Sequence, residues 1–213
     1  MPRLGRRVCR GILLVCSLLA PLPGLSLGWA GSGAPGGTGS EVGAIRALVV
    51  EPGSNALLAG TSKGLFRSED EGRSWRRVAA RGPVEGKAVL ALALDPTGPR
   101  IVYAAGPGFG VAKSRDGGQS WERVTQDLGG TEVLALALDA NQRFYSPKRL
   151  YAWVEGKGLY RANVGRERWE LMDEWADNPG VRSLASVNIW SGMAGILVYA
   201  GAAQGLFWSA DCF

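Results

Sequence analysis

Acidic residues set beside aromatic ones are the places in this 213-residue chain where chemistry could be carried. Glu155 follows Trp153 by two positions, and Asp173, Glu174, Trp175, Ala176 and Asp177 form one short run. Two carboxylates facing across a sugar, roughly 5–9 Å apart, are what glycoside hydrolysis requires, and a tryptophan beside them can stack on the sugar face. Trp153, Glu155, Asp173, Glu174 and Trp175 are therefore the candidate ligand-facing residues. A solvated loop carrying the same residues is the plainer reading. The chain has no histidine, which excludes Ser-His-Asp and Cys-His hydrolases and His-ligated zinc. Gly106-Pro107-Gly108-Phe109-Gly110 is no dinucleotide fingerprint, because no helix follows it. No catalytic residue, metal site or cofactor is assigned.

The remaining acids recur, and recurrence argues for structure. Ser68-Glu69-Asp70-Glu71-Gly72-Arg73-Ser74-Trp75 returns 46 positions later as Ser114-Arg115-Asp116-Gly117-Gly118-Gln119-Ser120-Trp121. Both fit S-x-D-x-G-x-S-W. An Asp side chain bonds nearby backbone N–H groups, with Ser doing so more weakly, and so closes a turn. Gly72 and Gly118 suit a positive φ, and Trp75 and Trp121 supply a large apolar body. In a third copy Ala162, Val164, Arg166 and Arg168 replace the Ser, Asp, Gly and Ser, yet Trp169 stays. Packing outlives turn chemistry there, so Ser68, Asp70, Gly72, Trp75, Ser114, Asp116, Gly118, Trp121 and Trp169 are read as structural. Glu51, Asp95 and Asp139 also fall at one repeated position, as turn makers.

The elements that hold these turns repeat with them. Gly64-Leu65-Phe66, Gly110-Val111, Gly158-Leu159-Tyr160 and Gly205-Leu206-Phe207 are spaced by 46, 48 and 47 residues. Upstream lie short apolar or alternating runs such as Ala47–Val50, Ala91–Leu94 and Ala135–Leu138, then Leu57–Gly60, Ile101–Gly106, Leu150–Val154 and Ile196–Gly201. Gly, Pro and Asp punctuation with period-2 alternation predicts strands. Three strands, a turn and a fourth strand such as Ser74–Val78 make a propeller blade. The expected fold class is all-β: a β-propeller of four-stranded antiparallel blades over residues 44–213, about 3.6 repeats, an incomplete or partner-closed ring. The last unit reads as stopping at Ser209–Phe213, inside a fourth turn motif.

The eight-residue motif is that of the Asp-box, or bacterial neuraminidase repeat, and the chain resembles Asp-box β-propellers over about residues 44–213, as a truncated or partial member. Sialidases, xyloglucanase-type glycosidases, sortilin-like receptor domains and photosystem II assembly-factor propellers share it. The resemblance implies a blade and leaves the activity open, since function is grafted onto such folds. The arginine-bearing motif that usually precedes the first sialidase Asp-box is not visible here.

Arg3, Arg6, Arg7 and Arg10 precede an apolar run from Gly11 to Leu19, then Pro21, Pro23 and small residues to Ala30. This is the pattern of a secretory signal, giving 1–30 as signal peptide and 31–43 as a Gly-rich linker. An uncleaved membrane anchor is the alternative. Without residues 1–30 the chain has 20 basic and 19 acidic residues, so the formal +5 does not point to nucleic acid, which needs a concentrated basic face. Arg73, Arg76, Arg77 and Arg81 read as strand-end arginines on a solvated face rather than an anion site. Cys212 alone would outlast the signal, leaving no intrachain disulfide. The leading expectation is an exported, non-catalytic binding or scaffold module with a protein or carbohydrate ligand. It would be able to self-associate through an open blade edge. The alternative is a fragment of a secreted glycoside hydrolase.

Overall fold

A computed structural model describes residues 39–98, 100–139, 148–174, 180–189 and 195–212, all within the compact unit spanning residues 33–213. The N-terminal segment to Ala30, Trp175 and Asp177 lie outside the described residues. Among the described residues a single helical turn, α1 (Gly39–Val42), leads into fifteen strands. β1 (Ile45–Val50), β2 (Leu57–Thr61), β3 (Gly64–Ser68) and β4 (Arg76–Arg77) form the first sheet. The second is β5 (Ala91–Leu94), β6 (Val102–Gly106), β7 (Gly110–Ser114) and β8 (Glu122–Arg123). The third is β9 (Val133–Asp139), β10 (Arg149–Val154), β11 (Gly158–Asn163) and β12 (Trp169–Asp173). β13 (Val181–Ile189), β14 (Gly195–Ala202) and β15 (Gly205–Cys212) make the fourth. Each sheet is an antiparallel meander, and together they are the blades of a four-blade β-propeller.

The repeated glycine opens the third strand of every sheet. Gly64, Gly110, Gly158 and Gly205 have φ of +120°, +71°, +115° and +135°, a region that other residues resist. Each follows a tight turn, as where Thr61 pairs with Gly64 and the Thr61 hydroxyl donates to the Gly64 carbonyl at 3.0 Å.

The inner strands read as apolar runs because the sheets are covered on both faces. Successive residues of β6 go to opposite neighbours: Val102 and Ala104 pack with Leu58, Phe109 and Trp121, whereas Tyr103 and Ala105 pack with Leu128 and Leu150. On β10, Leu150 and Ala152 face the second sheet while Tyr151 and Trp153 face Val181 and Val198 of the fourth. The first sheet is covered on its other side by Val42, which packs on Ala59 and Phe66 with Trp75 alongside. Leu48 and Val50 of β1 remain about half exposed, at 53 % and 55 %, as does Trp208 of β15 at 50 %.

Two details depart from the sequence reading. The fourth strands of the first two blades are only two residues long, and Trp75 and Trp121 precede them. The reason is that the chain after β4 leaves its own sheet: the Arg81 N–H donates to the Gln119 carbonyl at 2.9 Å, and the Trp121 N–H donates back to Arg81 at 3.1 Å. In the last unit, Ser209, Ala210 and Asp211 are not the start of a turn but part of β15, because the eight-residue β14 offers each a partner as far as Gly195 opposite Cys212.

Candidate functional site

The two intact S-x-D-x-G-x-S-W turns close in the same way. The Ser68 hydroxyl donates to Asp70 Oδ1 at 2.8 Å and accepts the Gly72 N–H at 2.8 Å, while the Ser74 N–H donates to Asp70 Oδ1 at 2.8 Å. The Ser114 hydroxyl donates to Asp116 Oδ1 at 2.8 Å and accepts the Gly118 N–H at 2.8 Å, and the Ser120 N–H donates to Asp116 at 2.9 Å. Each indole then donates to the motif glycine's carbonyl, Trp75 to Gly72 at 3.1 Å and Trp121 to Gly118 at 2.8 Å. The Ser74 hydroxyl, the Ser74 N–H and the Ser68 hydroxyl hold the Asp70 carboxyl down at about 2. Burial opposes ionisation of Asp116, yet the bonds from Ser120, Ser114 and Gln119 hold it well below the usual carboxylate range. A general acid needs the opposite shift.

The repeated first-strand acids are also tied. Arg67 grips Glu51 with both terminal nitrogens, Nη2 reaching Oε2 at 2.7 Å. Lys148, just before β10, donates to both oxygens of Asp95 at 2.8 Å, and the Thr97 N–H adds a bond at 2.9 Å. Desolvation works against the Asp95 carboxylate, but Lys148 and Thr97 keep its pKa lowered. The Lys148 partnership was not legible, since Lys148 is 53 positions from Asp95.

Glu167 was missed altogether. In the degenerate third turn it adopts φ +41° and reaches the second sheet, where it pairs with Lys113 and accepts the Tyr103 hydroxyl at 3.0 Å. Burial pushes its pKa up, but the Lys113 bond and the Gly165 N–H outweigh that and leave it lowered. The same burial, with Glu167 alongside, pushes the Tyr103 phenol up. Lys113, an isolated cation in an apolar strand run, was the signal that could have found it.

The candidate ligand-facing residues that are described, Trp153, Glu155, Asp173 and Glu174, do not share a surface. Trp153 is 1 % exposed and packs in the core between the third and fourth sheets, so its ring offers no stacking face. Leu159 of β11 pairs with Trp153 on one side and Asp173 on the other, which places the three in one row across β10, β11 and β12. Asp173 is half-buried at the end of β12, Glu155 is exposed in the β10–β11 turn, and Glu174 is exposed. Among the described residues, no group of three or more His, Cys, Asp or Glu is placed to hold a metal ion.

A shallow, open cleft lies between the first two sheets. The cleft, of about 530 Å³, is walled by Glu51, Arg67, Glu69, Arg76, Val78, Ala79 and Arg81 from the first repeat. Arg100, Asp116, Gly117 and Gln119 of the second close it. It exists because β4 ends after two residues and Arg81 crosses to the next turn, in the parallel bridge Arg81–Ser120. Glu69 accepts from Arg76 at 2.6 Å and from Arg67 at 3.2 Å, and those bonds lower its pKa. Arg81 and Arg100 have no carboxylate partner among the described residues; Arg100 Nη2 donates to the Asp116 carbonyl at 3.4 Å. Arg76 and Arg81, read from sequence as solvated strand-end cations, thus face a common cavity.

Comparison with protein families finds no match, and comparison with curated proteins finds none. Solved structures do match. A GH74 enzyme of Niastella koreensis superposes with a TM-score of 0.55 at 19 % identity, covering 72 % of this chain and 23 % of that one. The extracellular domain of a B. thetaiotaomicron protein assigned to the one-component systems gives 0.52 at 15 % identity, covering 78 % of this chain and 21 % of the other. This chain therefore spans less than a quarter of the length of either, and the likeness is one of fold.

Proposed function

We propose that the chain is a non-catalytic Asp-box β-propeller module, exported behind residues 1–30, that acts by binding. One observation carries this reading: in the cleft between the first two blades the acids are tied to the fold while Arg81 and Arg100 are left without carboxylate partners among the described residues. Asp70 and Asp116 hold turns, Glu51 and Asp95 hold cations, and Glu167 fastens the third blade to the second. Where a shift is resolved for an acid, it is downward, which suits fixed anions better than proton donors. The extracellular domain among the structural neighbours is consistent with export.

The alternative is a piece of a glycoside hydrolase, favoured by the GH74 likeness in fold. Incubating the purified chain with neutral and acidic polysaccharides, followed by mass spectrometry of released sugars, separates the two. The binding reading expects no product. Sugar release that disappears on Asp173→Asn or Glu155→Gln would establish the hydrolase.

A further inference from the structure

The walls of the inter-blade cleft carry four arginines against three carboxylates. Arg67 and Arg76 engage Glu51 and Glu69, and the remaining acid of the walls, Asp116, is enclosed by Ser114, Gln119 and Ser120. Arg81 and Arg100 are pinned to opposite ends of the same turn by their main chains. The Arg81 N–H donates to Gln119 at 2.9 Å, and the Gly117 N–H donates to the Arg100 carbonyl at 2.9 Å. Their guanidiniums are thus carried on a rigid frame that draws on them for one long bond, from Arg100 Nη2 to the Asp116 carbonyl at 3.4 Å.

A guanidinium presents a planar fork of donors that matches a carboxylate bidentately. Val78 and Ala79 add apolar surface to a mostly polar wall, and among the described residues no aromatic ring lines the cavity. That suits methylene-bearing acidic side chains rather than a sugar face, which would want a ring to stack on. A volume of about 530 Å³ is within the span of ligand pockets, roughly 300–1,000 Å³.

We infer that the cleft between the first and second blades binds an acidic peptide segment, with Arg81 and Arg100 receiving its carboxylates. The inference rests on the binding-module reading and adds the ligand class and the residues. The test is fluorescence anisotropy with fluorescein-labelled hexaglutamate as the probe. Wild-type protein binds it, more weakly as salt rises, because Arg81 and Arg100 are exposed to solvent and screened by ions. Arg81→Gln and Arg100→Gln each weaken binding roughly tenfold or more, the loss expected of one charge-assisted contact. Their melting curves stay close to wild type, since the turn is held by main-chain bonds. Arg73→Gln leaves binding unchanged, because Arg73 pairs with Glu71 in the open, its side chain 79 % exposed.

Equal binding by the Arg81→Gln/Arg100→Gln double variant overturns the site and leaves the module reading intact. Wild-type affinity no greater for hexaglutamate than for hexaglutamine overturns the acidic ligand. Stronger competition by polygalacturonate or inorganic phosphate than by unlabelled hexaglutamate overturns the peptide assignment. Sugar release in the turnover assay, by contrast, defeats the module reading itself.

Discussion

Replacing the motif tryptophans by alanine should give two unequal losses of stability. Trp121 is 6 % exposed and packs with Leu58, Leu65 and Phe109 between the first two blades. Trp75 is half-buried on the outer face of the first blade, beside Phe66 and Val42. An indole buries roughly 150–250 Å², which at about 25 cal/mol per Å² amounts to roughly 4–6 kcal/mol as an upper bound. Truncations of buried aromatics fall at about 3–5 kcal/mol, and Trp121→Ala also strips the Gly118 carbonyl of its 2.8 Å indole bond. Trp121→Ala should therefore lose about 4 kcal/mol, a large part of the roughly 5–15 kcal/mol of a typical domain. Trp75→Ala should lose about 2 kcal/mol, in proportion to its smaller buried area. At roughly 2–4 °C per kcal/mol for a chain of this size, the melting points fall by about 8–16 °C and 4–8 °C. Urea titration, with the slope checked for constancy, reads both numbers. Equal losses, or a loss for Trp121→Ala below that for Trp75→Ala, would refute the inter-blade role of Trp121.

The turn carboxylates make a pH prediction. Asp70 titrates at about 2 in the fold, below the unfolded value of about 3.9. Its stabilisation is therefore complete above about pH 4 and disappears as pH falls toward 2. Melting temperatures of Asp70→Ala should lie below wild type at neutral pH and converge with it near pH 2; a gap that persists at pH 2 would contradict the assignment. Asp116→Ala should show the same gap at neutral pH, closing only at lower pH than for Asp70, because the Asp116 carboxyl is held lower still. Lys113→Met leaves the largely buried Glu167 without its ion partner and should cost about 3–5 kcal/mol in urea, while Lys113→Met/Glu167→Gln recovers part of it; a double variant weaker than the single one counts against the pair. Gly158→Ala places a Cβ 2.2 Å from the Asp173 carbonyl at φ +115°, so thermal melting should show a loss of more than about 1 kcal/mol.

The blade was legible because its markers are local. A glycine at positive φ, an Asp that closes its own turn and a Trp within five residues of it all act at short range, so Gly64, Asp70 and Trp75 announce themselves in sequence. The cleft was not legible, because it depends on Arg81 leaving its sheet for Gln119, a pairing across 38 residues. Trp153 shows the converse error of proximity. Its neighbour Glu155 suggested a sugar platform, but β10 ends at Val154, so Glu155 is exposed in the turn that follows while Trp153 stays in the core. Glu167 escaped because the third copy was read for what it had lost, while its replacement partner, Lys113, sits in the preceding blade.

Hydrogen–deuterium exchange with and without hexaglutamate tests binding through the inter-blade cleft most directly. Slowed exchange on adding the peptide is predicted at amides of residues 78–81 and 117–119, which wall the cleft, with the rest of the described strands unchanged. Protection confined to other surfaces, such as the Glu155 turn or the exposed face of β15, would contradict it.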